Sequence, residues 1–202
     1  MLQPLPRSFY NRDTVSVAKD LLGRVLMRQI GGRSLVGIIT EVEAYKGAED
    51  AASHAHRAPT KRNKVMFGKV GISYVYFTYG NHYCLNVVAK NDSPAGAVLI
   101  RAAEPIRGVS LMKKNRARDN LYELSDGPGK LTKAFGISSE ENGMDLTRRG
   151  DLYISTPTQF RRPQISTSVR IGVSSAKNKP WRFFISQNRF ISKAKRVEQT
   201  LP

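Results

Sequence analysis

Two β-rich segments joined by a short turn restrict the fold of this chain strongly. Residues 73–78 and 83–90 are rich in aromatic and β-branched side chains, and residues 79–82 separate them. Such runs around so short a connection predict an antiparallel β-hairpin. Residues 73–90 are expected to form a hairpin that belongs to a larger sheet and protrudes from it.

The remaining sequence supplies more strands than helices. Strands are predicted at 24–30, 35–45, 97–103, 152–155, 168–173 and 182–186, and helices at 13–22, 109–114 and 131–135. The strand at 97–103 is expected to stop at Glu104-Pro105. Hairpin connections outnumber crossovers, which favours a mostly antiparallel α+β domain over a doubly wound parallel sheet. A length of 202 residues suits one domain spanning 1–202.

The charge of the chain indicates a polyanionic partner. Its formal net charge is +17, from 33 Lys and Arg against 16 Asp and Glu. A protein that acts on nucleic acid is the leading interpretation of so basic a chain. A ribosomal protein and a metabolic enzyme with a basic surface are the alternatives. A single cysteine, Cys84, excludes an internal disulfide and a multi-thiolate zinc site. Neither a secretory signal nor a membrane-spanning run is present, so we expect a cytoplasmic protein without a membrane partner.

The first candidate for chemistry is the segment Glu41-Val42-Glu43-Ala44-Tyr45. In a strand the two carboxylates and the phenol share a face, next to the basic loop at 46–69. A solvent-exposed strand face is the simple alternative. A metal site from Glu41, Glu43 and His54 is another, although the spacing matches no specific ligand pattern. Phosphate-binding glycine motifs and a nucleophile elbow are absent, which counts against nucleotide hydrolysis, dinucleotide redox chemistry and serine hydrolysis.

The second candidate is the group of tyrosines on the hairpin. Tyr74, Tyr76, Tyr79 and Tyr83 lie within ten residues, with His82 beside them. Strand tyrosines usually pack in a core. A tyrosine at the tip, Tyr79, is less readily buried and could instead act as a wedge between base pairs.

Taken together, these segments resemble the alkyladenine DNA glycosylase family, also called 3-methyladenine or methylpurine DNA glycosylases. The similarity keeps its order and spacing from about residue 9 to residue 190. Its matching stretches are Glu41 to Tyr45, Glu49-Asp50 to His54, Thr60 to Asn63, Met66-Phe67, Tyr74 to Tyr76, Tyr79-Gly80, Asn86, Leu99 to Ala102, Glu104-Pro105, Gly127 to Leu131 and Arg170 to Gly172. The family implies a single compact α+β domain around a curved, mostly antiparallel sheet with flanking helices.

The resemblance also implies a reaction. Glu43 would be the catalytic base that activates a water, while Arg101 and the backbone carbonyl of Ile171 would position that water. The products would be a free purine and an abasic site without strand cleavage, with no cofactor and no metal. Expected substrates are 3-methyladenine, 7-methylguanine and hypoxanthine, with ethenoadenine as a further candidate. Glu41 is expected to support the site rather than to act as a second catalyst.

The family pattern further implies a pocket for a base flipped out of the duplex. The residues expected to surround that base are Tyr45, Ala52, His54, Tyr76, Asn86 and Ile171. Asn86 would exclude guanine by crowding its exocyclic amino group, and Tyr74 would support His54 from behind. Tyr79 would fill the gap left in the duplex. Asn81 and His82, next to it, occupy positions where the family varies.

The implied partner is double-stranded DNA that contains damaged purines. We expect a monomer without an obligate protein partner, cytoplasmic and nucleoid-associated in a prokaryote. The basic C-terminal tail at 191–202 either touches phosphate or stays solvated. Two other functions remain open: a non-catalytic nucleic-acid-binding protein of the same fold, and a metal-dependent nuclease.

Overall fold

A curled antiparallel sheet forms the centre of the molecule. The computed structural model describes residues 2–192, so Lys193, Lys195 and Arg196 of the predicted basic tail lie outside the described residues. The strands are β1 (Val25–Ile30), β2 (Arg33–Lys46), β3 (Ser73–Thr78), β4 (His82–Val88), β5 (Gly96–Arg107), β6 (Leu152–Ser155), β7 (Ile165–Ser168) and β8 (Arg182–Ile185). They pair in the order β3-β4-β5-β2-β1-β6, and β8 joins β7 to β2. This arrangement confirms the predicted α+β class.

The helices lie around this sheet and close its core. They are α1 (Arg7–Tyr10), α2 (Thr14–Leu21), α3 (Val109–Arg116) and α4 (Pro128–Phe135), with 3₁₀ turns at Lys64–Phe67, Leu121–Glu123 and Ser139–Glu141. Asp13 caps α2 by accepting a hydrogen bond from the Ser16 amide, as its sequence position predicts. Helix α2 packs on β2 and β5, and α4 packs on β4. No helix within residues 2–192 is long and apolar enough to cross a bilayer.

Strand β2 places the acidic segment inside the sheet. One edge pairs with β5, and the other pairs first with β1 and then, over Glu41–Glu43, with β8. The register against β5 shifts on either side of Glu41, and such bulges bend a strand and redirect its side chains. Glu41 and Glu43 are both 0% exposed. The alternative of a solvent-exposed strand face is therefore wrong.

Two predicted strand ends are also wrong. Strand β5 continues through Pro105 to Arg107. The register shifts between Val36 and Gly37 at this point, and a bulge tolerates a residue that lacks an amide hydrogen. Strand β7 ends at Ser168 rather than beginning there. Residues 169–173 instead form a loop, because Arg170 turns inward to a buried ion pair with Asp50.

Candidate active site

A cavity of about 520 Å³ opens between the β3–β4 hairpin, the strand β5 and two loops. Its volume lies in the range of small-molecule sites, about 300–1,000 Å³. The residues that line it are Tyr45, Ala51, Ala52, Ser53, His54, Met66, Tyr74, Tyr76, Thr78, Tyr79, Cys84, Asn86, Leu99, Arg101, Pro128, Ile171, Gly172, Val173 and Ser174. Every residue predicted to surround a flipped base is among them.

Glu43 lies directly behind the wall of this cavity. Its Oε1 accepts a hydrogen bond of 2.7 Å from the Ile171 amide, and its Oε2 accepts one of 2.7 Å from the Tyr45 hydroxyl. Arg101 approaches Oε2 at 3.2 Å through Nη1. Glu43 itself lines no part of the cavity, whereas Tyr45, Arg101 and Ile171 all do. The Ile171 amide is a contact that the sequence did not predict, beside the carbonyl expected to hold water.

Two carboxylates contact Arg101. Its Nε donates to Glu41 at 2.8 Å while its Nη1 faces Glu43. Burial by itself would lower the pKa of Arg101, but Glu43 and Glu41 outweigh this effect and raise it. Burial raises the pKa of Tyr45, and the negative charge of Glu43 raises it further. At neutral pH the Tyr45 phenol is therefore a proton donor toward Glu43.

An aromatic wall forms one side of the cavity. His54 Nδ1 lies 2.9 Å from the Tyr74 hydroxyl, and the rings of His54 and Tyr76 meet edge to face with centroids 4.5 Å apart. Burial lowers the pKa of His54, and the nearby Arg62 lowers it further. The wall is therefore uncharged at neutral pH. Tyr74 is 1% exposed and therefore packs in the core, as strand tyrosines usually do. It also contacts His54, as predicted.

Asn86 and Tyr79 occupy opposite ends of the hairpin. Asn86, on β4, is buried and donates from Nδ2 to the Tyr74 carbonyl at 3.0 Å, with its side chain at the cavity. Tyr79 stands at the tip between β3 and β4 and is 83% exposed. Its φ is +51°, an uncommon value for a residue with a side chain. The hairpin thus presents a large aromatic ring to solvent beside the cavity mouth.

The structure also shows a buried ion pair whose importance the sequence did not indicate. Arg170 binds Asp50 with both terminal nitrogens, at 2.6 and 2.7 Å. Asp50 also accepts from the amide of Ala52, and the Arg170 guanidinium lies 4.6 Å from the Tyr45 ring centroid. The pair therefore joins the loop that carries Ala52 to the loop that carries Ile171. Both residues fall in stretches matched above, but their 120-residue separation hides the contact.

Glu41, Glu43 and His54 do not form a metal centre. Among residues 2–192, no group of three His, Cys, Asp or Glu side chains is placed to hold a metal ion. The two glutamates instead face arginines. His54 faces the tyrosines.

Comparison with known proteins agrees with this arrangement. A family model described as methylpurine-DNA glycosylase (MPG) matches residues 8–189. A relative from Carboxydothermus hydrogenoformans is 47% identical over 189 residues, covering 94% of this chain and 98% of that protein. Relatives from Prosthecochloris aestuarii (45% over 195 residues; 96% and 93% covered) and Methanoculleus marisnigri (44% over 192 residues; 94% and 98% covered) are similar throughout. All three carry the name "Putative 3-methyladenine DNA glycosylase".

Proposed function

Since the chain belongs to the methylpurine-DNA glycosylase family, we propose that it flips a damaged purine out of duplex DNA and hydrolyses its N-glycosidic bond with a water activated by Glu43. The reaction leaves an abasic site and does not cut the strand. The proposed catalytic residues are Glu43 and Arg101. With DNA as its substrate, the protein would act in the cytoplasm, associated with the nucleoid if it is prokaryotic.

One observation carries this proposal. The buried Glu43 carboxylate is bonded by Tyr45, Arg101 and Ile171, and all three of these residues line an aromatic cavity. A base must have access to the group that it deprotonates. Because Glu43 is enclosed, the attacking water reaches it between Tyr45 and Arg101, at the base of the cavity.

The chemistry follows the general scheme of glycoside hydrolysis. The bond between C1′ and the purine nitrogen breaks, and its electron pair leaves with the base. Positive charge develops at the sugar, where a nearby carboxylate stabilises it. The water oxygen bonds to C1′, and its proton passes to Glu43. No lysine lies among the described residues that line the cavity, so water is a simpler nucleophile than an amine that would form a Schiff base.

The cavity wall suits the proposed substrates. Alkylation at N3 or N7 leaves a purine cationic, and aromatic faces attract a cation by about 0.5–2 kcal/mol. The neutral His54 in the wall adds no opposing charge. A cationic purine is also a good leaving group, so 3-methyladenine and 7-methylguanine need little acid catalysis. Hypoxanthine and ethenoadenine are neutral and would need protonation as they leave.

Duplex recognition would rest on Tyr79, Asn86 and basic charge. The exposed Tyr79 ring would enter the space vacated by the flipped nucleotide. The cost of unstacking the bases is offset by the wider contact that bent DNA makes with the protein. Asn86, at the cavity, would exclude guanine by crowding its exocyclic amino group. The net charge of +17 supplies the attraction to phosphate.

The alternative is a non-catalytic binder of damaged DNA that keeps this cavity. The two functions are separated by single-turnover release of base, in EDTA, from a duplex with one hypoxanthine and then from methylated-purine DNA. The wild type should release base and leave an uncleaved abasic site. Glu43→Gln should bind the duplex and release none. Glu140→Gln removes an exposed carboxylate that lies outside the lining of the cavity and should match the wild type.

Three outcomes would contradict the proposal. If the wild type binds both DNAs but releases base from neither, the non-catalytic binder is favoured. Full release by Glu43→Gln removes Glu43 as the base. Loss of activity in EDTA favours a metal-dependent nuclease.

A further inference from the structure

A second buried carboxylate lies behind the proposed catalytic pair. Glu41 is 0% exposed and lines no part of the cavity. Its Oε1 accepts from the Nε atoms of Arg101 and Arg182, each at 2.8 Å, and from the Ser192 hydroxyl at 2.7 Å. Its Oε2 accepts from the Ser192 amide at 2.6 Å. Burial opposes its ionisation, but Arg101, Arg182 and the Ser192 amide prevail, so the pKa of Glu41 lies below its ordinary value.

Glu41 supplies the shorter of the two carboxylate contacts to Arg101. Nε of Arg101 lies 2.8 Å from Glu41, whereas its Nη1 lies 3.2 Å from Glu43. Contacts at two nitrogens of a planar, rigid guanidinium determine both its position and its plane. If the Glu41 contact is lost, the contact with Glu43 no longer determines the orientation of Arg101 toward the cavity.

We propose that Glu41 is a positioning residue for the glycosylase reaction: it holds Arg101 by Nε so that Nη1 stays against Glu43 at the place where the attacking water enters from the cavity. This inference rests on the proposed function of Glu43 and Arg101. Glu41 acts through Arg101 because it has no surface in the cavity.

Charge balance offers a purely structural explanation that must be separated from this role. Glu41 and Glu43 carry two negative charges, and Arg101 and Arg182 carry two positive ones, all at positions less than 10% exposed. Removing Glu41 alone leaves a buried positive charge uncompensated, which destabilises any protein. Removing Arg182 together with Glu41 restores the balance, but in the glutamine variant Arg101 Nε faces a neutral amide in place of its carboxylate partner.

The test compares Glu41→Gln, Arg182→Gln and the double variant E41Q/R182Q in single-turnover base release, with lesion-duplex binding and thermal unfolding measured on each. Glu41→Gln should bind the duplex within about twofold of wild type and release base about 10- to 100-fold more slowly, since small misplacements in an active site have effects of this size. Arg182→Gln should lose stability but keep its rate within about threefold, because Glu41 still holds Arg101. The double variant should regain stability over Glu41→Gln and remain slow.

Glu141→Gln is the matched control for the loss of a buried carboxylate. Glu141 is 2% exposed and pairs with Arg28 at 2.6 Å, and neither residue lines the cavity. This variant should be less stable than the wild type but should release base at the wild-type rate at a temperature where it is folded.

Two results overturn the role of Glu41. A double variant that recovers both stability and rate shows that only charge balance mattered. Wild-type release by a folded Glu41→Gln, while Glu43→Gln is inactive, shows that Arg101 needs no second carboxylate to hold it. If Glu41→Gln does not fold, the folded double variant decides alone, since a wild-type rate there has the same meaning. Wild-type release by Glu43→Gln would instead overturn the proposed function.

Discussion

Replacing Asp50 with Asn should destabilise the whole fold, although the two side chains have the same shape. Asp50 is 0% exposed and accepts two hydrogen bonds on each oxygen. Oδ1 accepts from Arg170 and the Ala52 amide, and Oδ2 accepts from Arg170 and the Lys46 amide. An asparagine amide offers one oxygen, so two of these donors would face an NH₂ group.

The magnitude follows from the burial of the pair. The Arg170 and Asp50 side chains are both 0% exposed, and removing one partner of such a pair leaves a buried charge without compensation. The expected cost is about 3–5 kcal/mol of the free energy of unfolding. For a chain of this length each kcal/mol corresponds to about 2–4 °C, so Tm should fall by roughly 6–20 °C.

Urea and thermal denaturation of Asp50→Asn against wild type measure this loss. Glu49→Gln is the control, because Glu49 is the preceding residue but its side chain is 64% exposed and pairs with Lys46 at the surface. Its unfolding free energy should change by less than about 0.5 kcal/mol.

The reasoning is refuted if Asp50→Asn costs less than about 1 kcal/mol, the size of one ordinary hydrogen bond. It is equally refuted if Glu49→Gln loses as much. Either result would mean that the ion pair with Arg170 does not hold the two cavity loops together.

Four further predictions concern DNA recognition and pH. Tyr79→Ser should weaken binding to lesion duplex far more than binding to undamaged duplex; equal losses would exclude a wedge. Asn86→Gly should raise release of guanine-type bases relative to adenine-type ones, and an unchanged ratio would count against steric exclusion. Binding should weaken with salt at a log–log slope of about −0.9 per phosphate contacted, and a flat response would contradict electrostatic binding. Burial and Arg62 lower the pKa of His54 below 6.5, so an NMR titration of its ring should have a midpoint below 6.5. Because the folded state then favours neutral His54, its contribution to stability should be lost as pH falls from 6.5 toward that midpoint; a midpoint at or above 6.5 would refute this.

Motif order was sufficient to identify the family, because similarity spread over many short stretches is specific even when each stretch is weak. The family match over residues 8–189 confirms that interpretation. The sequence also placed Tyr79 at a hairpin tip and the predicted base-contacting residues in one pocket. Their catalytic and binding roles stay predictions until the variants are measured.

Local sequence was a poor guide where tertiary contacts override it. The strand predicted at 168–173 was misplaced because Arg170 is drawn to Asp50, 120 residues away. Pro105 was expected to end β5, but a bulge accommodates it. The alternating pattern of Glu41 and Glu43 showed that they share a face but not that the face is buried.

The sequence by itself determined the fold class, the family, the aromatic hairpin and the identity of the candidate base, since these depend on local periodicity and on motifs in order. Only the tertiary structure decided that Glu43 is enclosed behind Tyr45, Arg101 and Ile171, and that Glu41 holds Arg101 from the other side. The physical reason is that hydrogen bonds between buried charges join residues far apart in the chain, and their partners are chosen by the sheet register and loop packing rather than by neighbouring residues.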